Sequence, residues 1–169
     1  PALGLGLLLM SRTPDTAADI EVHPVTAFGD EYDELWLRCR ASFATCVRRD
    51  ARYLRWKFLA CPFRSYRVLE ARKAGMLMGY AVIREEGDAS FKRGVIADLF
   101  CDTTDAATQD ALVAAAIADF RAQRLVRIEV YCYNARLAAT LKRHGFRSGT
   151  TGVQYCIAYR GTPDAAVSA

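Results

Sequence analysis

The hydrophobic period changes twice between residues 66 and 133, and this change limits the possible folds more than any other feature. From Tyr66 apolar residues alternate with a period of two: Tyr66 to Ala71, a turn at Lys73-Ala74-Gly75, Met76 to Arg84, a turn at Glu86-Gly87-Asp88, and Arg93 to Cys101. Alternation bounded by Gly-containing turns predicts three antiparallel strands in a meander. From about Ala107 to Gln123 the period becomes helical, with Leu112, Val113, Ala116, Ile117 and Phe120 at helical spacing. Arg127 to Tyr133 is again β-rich. Strand, helix and strand in that order require a crossover, and so a parallel pair within an otherwise antiparallel sheet.

The flanking segments extend this pattern. Ile20 to Thr26 carries a strand signal, and Asp30 and Asp33 precede Leu35, Trp36 and Cys39 as the acidic start of a helix over about Glu31 to Ala41. Asp50 is placed to cap a second helix, Ala51 to about Leu59, with Leu54 and Phe58 on one stripe and Pro62 beyond its end. Asn134 caps a further helix, Ala135 to His144, which Gly145 stops, and Gly152 to Tyr159 supplies a last strand. The expectation is one α/β domain over residues 20–160: a mixed central sheet of about six to seven strands with helices on both faces. Residues 1–19 read as a linker or the tail of a preceding region, and residues 161–169 as a flexible tail.

Composition narrows the function classes. The 169 residues carry a net charge of +4, without the dense basic and aromatic run of a nucleic-acid groove. Six cysteines form no C-x-x-C pair and only His23 and His144 could join them, so no metal site is expected. The cysteines read as reduced, near-core residues of a cytoplasmic protein. Pro1 to Met10 is apolar but too short to cross a bilayer, and no basic region precedes it, so no membrane role is expected.

The element order from Ile20 to Arg160, together with Asn134-Ala135-Arg136-Leu137-Ala138 leading to Arg143-His144-Gly145-Phe146, resembles the GNAT N-acetyltransferase superfamily. Arg48 to Phe58 looks like a subgroup found in bacterial two-lobed acetyltransferases, some linked to polysaccharide assembly; this chain would then be the C-terminal lobe. The resemblance implies acetyl-CoA or another acyl-CoA as cosubstrate, with no metal. It implies pantetheine against the backbone of Leu99, Phe100 and Cys101 where two parallel strands part, beside Asn134, and pyrophosphate on amides at a helix N-terminus. The segment Thr104 to Gln109 departs from the family's R-G-x-G-x-G/A pattern, having neither glycine nor arginine. Ala106 and Ala107 still offer approachable amides, Thr108 and Gln109 offer side-chain donors, and Asp105 sets a negative charge beside the phosphates. Where the family often places a tyrosine acid this chain has Leu141, which leaves Tyr131 or, by preference, Tyr133 as the substitute.

Asp98 stands out independently of any resemblance. Alternation puts it on one strand face with Ile96 and Phe100, where a carboxylate needs either a catalytic task or a structural partner. The catalytic alternative is a base for an attacking amine. The second helix, with Arg52, Tyr53 and Trp56, presents either a solvated face or, as the resemblance implies, the border of an acceptor cleft that meets an acidic or carbohydrate substrate. The expected function is acyl transfer to an amine of a small molecule or sugar by direct attack. Its rival is a non-catalytic lobe that binds a ligand or partner, and a homodimer or packing against a preceding lobe completes the expected partners.

Overall fold

The computed structural model describes residues 3–6, 19–44, 46–88, 91–125, 127–132 and 134–149. Within them seven strands and four helices follow in the order β1 (Leu3–Gly6), β2 (Glu21–Val25), α1 (Glu31–Cys39), α2 (Ala51–Leu54), β3 (Arg67–Lys73), β4 (Met76–Gly87), β5 (Lys92–Cys101), α3 (Ala106–Ala122), β6 (Ile128–Cys132), α4 (Ala135–Arg143) and β7 (Ser148–Gly149). The strands form one sheet in the order β2-β3-β4-β5-β6-β1-β7. Every pairing is antiparallel except β5 with β6, the pair that the α3 crossover joins. The expected α/β architecture, a mixed sheet with helices on both faces, holds, although β1 and β7 were not among the expected strands.

Two differences matter. Leu3–Gly6 lies within the segment expected as linker, yet it pairs with β6 from Leu3↔Cys132 to Gly6↔Glu129. Four residues with two glycines are too short and too poor in β-formers to read as a strand. The second helix begins as expected at Asp50, whose carboxylate accepts from the Tyr53 amide at 2.8 Å, but continues beyond Leu54 as a π-helical turn, Arg55–Leu59. The expected strand Gly152 to Tyr159 and the tail lie outside the described residues.

The sheet separates two cores. On one face Val68, Tyr80, Val82 and Phe100 meet Tyr32 and Leu35 of α1, together with Phe28, Leu54 and Phe58. On the other, Leu69, Ile83, Ile96, Ile128 and Val130 meet Val113, Ile117 and Phe120 of α3 and Leu141 of α4. Gly79 on β4 permits close approach at the α3 end of the sheet: an added Cβ would stand 2.6 Å from Cys101 Cβ and 2.8 Å from the Phe100 carbonyl oxygen.

Candidate functional site

Parallel strands β5 and β6 pair only at Gly94↔Ile128, Val95↔Glu129 and Ile96↔Val130. Beyond Ile96, β5 runs on to Cys101 while still paired to β4 as far as Gly79↔Cys101, so its β6-facing edge is open for five residues, from Ala97 to Cys101. A small, half-open pocket lies at the opening, lined by Phe43, Leu99, Cys101, Thr103, Gln109, Asn134 and Leu137. Helices α3 and α4 therefore both begin at its mouth, Asn134 capping α4 by accepting from the Arg136 and Leu137 amides at 3.0 Å each.

A β-bulge sits just where the strands part. Val82 pairs with Asp98 and Ile83 with Ile96, so one residue of β5, Ala97, has no counterpart on β4. The bulge reverses the alternation on which Asp98 was placed. Ile96 faces α3, whereas Asp98 follows Val82 and Phe100 to the α1 and α2 face. Leu99 and Cys101 line the pocket, and Asp98 does not.

Asp98 is buried against a guanidinium that sequence reasoning missed. Arg49 donates from Nε to Oδ2 at 3.0 Å and from Nη2 to Oδ1 at 3.2 Å, and Tyr80 donates its hydroxyl to Oδ2 at 3.3 Å. Arg49 also donates to the Val47 carbonyl at 3.0 Å and lies over the Phe100 ring. Burial alone would lower the Arg49 guanidinium; the Asp98 charge outweighs it and the group is held above its ordinary value. Burial, reinforced by the same carboxylate, pushes the Tyr80 hydroxyl well up, so it remains a donor. The only sequence signal for Arg49 was its place in a basic run, which carries no information about a partner 49 residues away.

At the start of α3 the loop spends its donors on its own carboxylates. Asp102 accepts from the Thr104 amide at 2.8 Å and its hydroxyl at 2.7 Å; Asp105 accepts from the Thr108 amide at 3.0 Å and its hydroxyl at 2.6 Å. Gln109 is buried, donating to the Thr103 carbonyl at 3.1 Å and accepting from Thr140 at 2.9 Å. The side chains of Thr108 and Gln109, expected as phosphate donors, are thus occupied internally, although Gln109 still lines the pocket. Ala106 and Ala107 occupy the first turn of α3 as expected.

Tyr133 lies outside the described residues. Tyr131 is exposed on β6 opposite Gly4. Leu141, where a tyrosine was sought, is fully buried in the α3-side core. Burial, with nearby carboxylates adding to it, pushes the Cys101 thiol far up, which removes it as a nucleophile near neutral pH. On the other face Arg52 is exposed, and Trp56 is exposed with its ring 5.8 Å from Tyr53. Arg55 instead donates to the Phe28 carbonyl at 2.7 Å, and Arg48 pairs with Asp50. Among the described residues no cluster of His, Cys, Asp and Glu could hold a metal ion, and no helix is long and apolar enough to cross a membrane.

No protein-family model and no curated protein sequence matches this chain. Solved structures do match. A GCN5-related N-acetyltransferase from Ralstonia eutropha JMP134 is similar at 18% identity and TM-score 0.58 over 82% of this chain and 98% of its own. A ribosomal-protein-alanine N-acetyltransferase from Brucella melitensis biovar Abortus 2308 is similar at 12% identity and TM-score 0.55 over 83% and 99%. An aminoglycoside acetyltransferase from an uncultured soil metagenomic sample, in complex with trehalose, is similar at 14% identity and TM-score 0.52 over 86% and 97%. The chain has the GNAT fold.

Proposed function

We propose that the chain is an acyl-CoA-dependent N-acyltransferase, transferring an acetyl or other acyl group to an amine of a small molecule or amino sugar. The observation that carries this reading is the open β5 edge from Ala97 to Cys101 beside a pocket of apolar and amide side chains. An extended acyl-pantetheine adds to such an edge through main-chain bonds, as a peptide does in strand addition. Leu99, Phe100 and Cys101 then flank the thioester, Asn134 and Leu137 close the pocket from α4, and a β5 amide polarises the thioester carbonyl.

The acceptor approaches from the α2 side, where Arg52, Tyr53 and Trp56 supply a cation and two rings suited to a sugar or an acidic group. Its amine attacks the thioester carbon directly, the C–S bond breaks, and the sulfur leaves as thiolate. Direct attack is favoured over relay through Cys101 because that thiol stays protonated. Proton acceptance falls to Asp98 through a water. Even a carboxylate paired with Arg49 suffices here, because the amine proton becomes strongly acidic once nitrogen has bonded to carbon. Tyr133 remains the proposed acid for the thiolate. The structural neighbours named for N-acetyl transfer support the reaction class, and one of them is an aminoglycoside acetyltransferase in complex with sisomicin. A non-catalytic lobe has no specific observation in its favour.

Calorimetric titration with acetyl-CoA tests the reading. Micromolar binding, roughly 8 kcal/mol, is expected, followed by thiol release when amines are added; no heat at millimolar ligand overturns it.

A further inference from the structure

The start of α3 poses a question that the acyltransferase reading leaves open: what holds the cosubstrate's diphosphate. Both helix N-termini at the pocket mouth are capped by side chains of this chain, Asp105 on α3 and Asn134 on α4. Asp102 and Asp105 add negative charge where a phosphate cradle would need the opposite. Of the guanidinium groups near the opening, Arg49 is bound to Asp98 and Arg143 to Asp110.

Arg136 is different. It lies in the first turn of α4 and reaches across the mouth to Thr103, 33 residues earlier, with Nη1 3.4 Å from the Thr103 hydroxyl. Among the described residues its guanidinium makes no ion pair within 4 Å and no other hydrogen bond, although its charge is felt by the Asp102 carboxylate nearby. Thr103, Asn134 and Leu137 all line the pocket, so the Arg136 side chain spans the gap through which a ligand seated between β5 and β6 must emerge. A bond of 3.4 Å is at the long limit of hydrogen bonding and is readily exchanged for a charged acceptor. A guanidinium fork fits two phosphate oxygens at once.

We propose that Arg136 is the diphosphate-binding residue of the acyl-CoA site, replacing from α4 the cationic, glycine-rich loop that the start of α3 lacks. The assignment rests on the acyltransferase reading and adds a residue to it. It implies that the diphosphate lies displaced from the α3 N-terminus toward α4, away from Asp105.

The test is calorimetric titration of the wild type, Arg136→Ala and Arg136→Lys with acetyl-CoA, acetyl-dephospho-CoA and S-acetylpantetheine, which lacks the diphosphate. Because Arg136 is exposed, its variants should melt with the wild type, and melting curves check this. Arg136→Ala should weaken both coenzyme A forms by about ten- to a hundredfold and leave S-acetylpantetheine unchanged, with Arg136→Lys between. The assignment is overturned by unchanged affinities, by an equal loss for S-acetylpantetheine, or by a loss confined to the form bearing the 3′-phosphate. Failure of the wild type itself to bind acetyl-CoA removes the acyltransferase reading, and this assignment with it; wild-type binding that Arg136→Ala leaves intact removes only the assignment.

Discussion

Asp98 and Arg49 form the most consequential pair of residues, because the carboxylate is buried, the guanidinium is partly buried and each would be costly alone: their side chains are 7% and 21% exposed. Asp98→Asn keeps the shape and still accepts hydrogen bonds, but leaves the guanidinium without its counter-charge. The expected loss of stability is on the order of 1 to 3 kcal/mol, below the roughly 3 to 5 kcal/mol that outright removal of a buried partner costs. With Asp98 as proton acceptor, turnover measured well below the melting range should also fall by about two to four orders of magnitude. Lost stability with full turnover would assign Asp98 to the fold alone. The importance of this residue was legible from its position in an apolar strand, but its face was not: a bulge at Ala97, an ordinary small residue, leaves no mark in the alternation. Asp105 allows a cleaner separation of charge from structure. Asparagine caps a helix as well as aspartate does, so Asp105→Asn should shift stability by less than about 0.5 kcal/mol. With the diphosphate displaced toward Arg136, removing the negative charge should change coenzyme A affinity by less than about twofold. Tightening of about fivefold or more in a titration would place the phosphates at the α3 N-terminus and count against the Arg136 assignment.

The contact between α3 and α4 contains a pH-dependent element. His144, at the end of α4, is buried with Nε2 3.0 Å from Asp110 Oδ1, and its Nδ1 has no partner among the described residues. Because the carboxylate only accepts, the ring proton sits on Nε2, and Nδ1 is a bare buried acceptor. Burial lowers the imidazole's affinity for a second proton; Asp110 opposes that shift without cancelling it, and Arg143 adds to it. A base whose folded pKa is depressed leaves stability untouched above its unfolded value. As pH falls below that value the unfolded chain takes up protons first, and stability drops until the folded pKa is reached. Melting temperature should therefore be level above about pH 7 and decline below about pH 6.5, with the decline reduced in His144→Gln; the same slope in both proteins would refute this origin. At this scale the helix ends were legible because they depend on local chemistry: Asp50 and Asn134 cap as read, and Gly145 stops α4 at φ 88°. The π-helical turn after Leu54 was not, since Leu54 and Phe58 are spaced as well for an α-helix.

Taken as a whole, the molecule is a sheet whose two faces hold separate cores and whose strands are forced apart at one point. The antiparallel meander, the crossover and the parallel pair were all legible, because each follows from a local period or a handedness rule. β1 was not: its place beside β6 depends on pairing across more than a hundred residues. The opening itself lay between these cases, expected from resemblance but located by the ladder ending at Ile96↔Val130. That geometry has a consequence for the entire fold. β5, Phe43 and the first turns of α3 and α4 meet at the pocket without filling it, so a ligand there would contact elements far apart in sequence and bind only the folded chain. At a hundredfold excess over its dissociation constant such a ligand stabilises by about 2.7 kcal/mol, and for a domain of this size roughly 2 to 4 °C accompanies each kcal/mol, or about 5 to 10 °C in all. Acetyl-CoA should raise the melting temperature by that amount. Hydrogen exchange should slow in the segments around Leu99 to Gln109 and Asn134 to Leu141, while β2, at the far edge of the sheet, should change little. A thermal shift with protection spread evenly over the chain would point to binding elsewhere, and no shift at millimolar acetyl-CoA would mean that the open edge of β5 serves some purpose other than holding this cosubstrate.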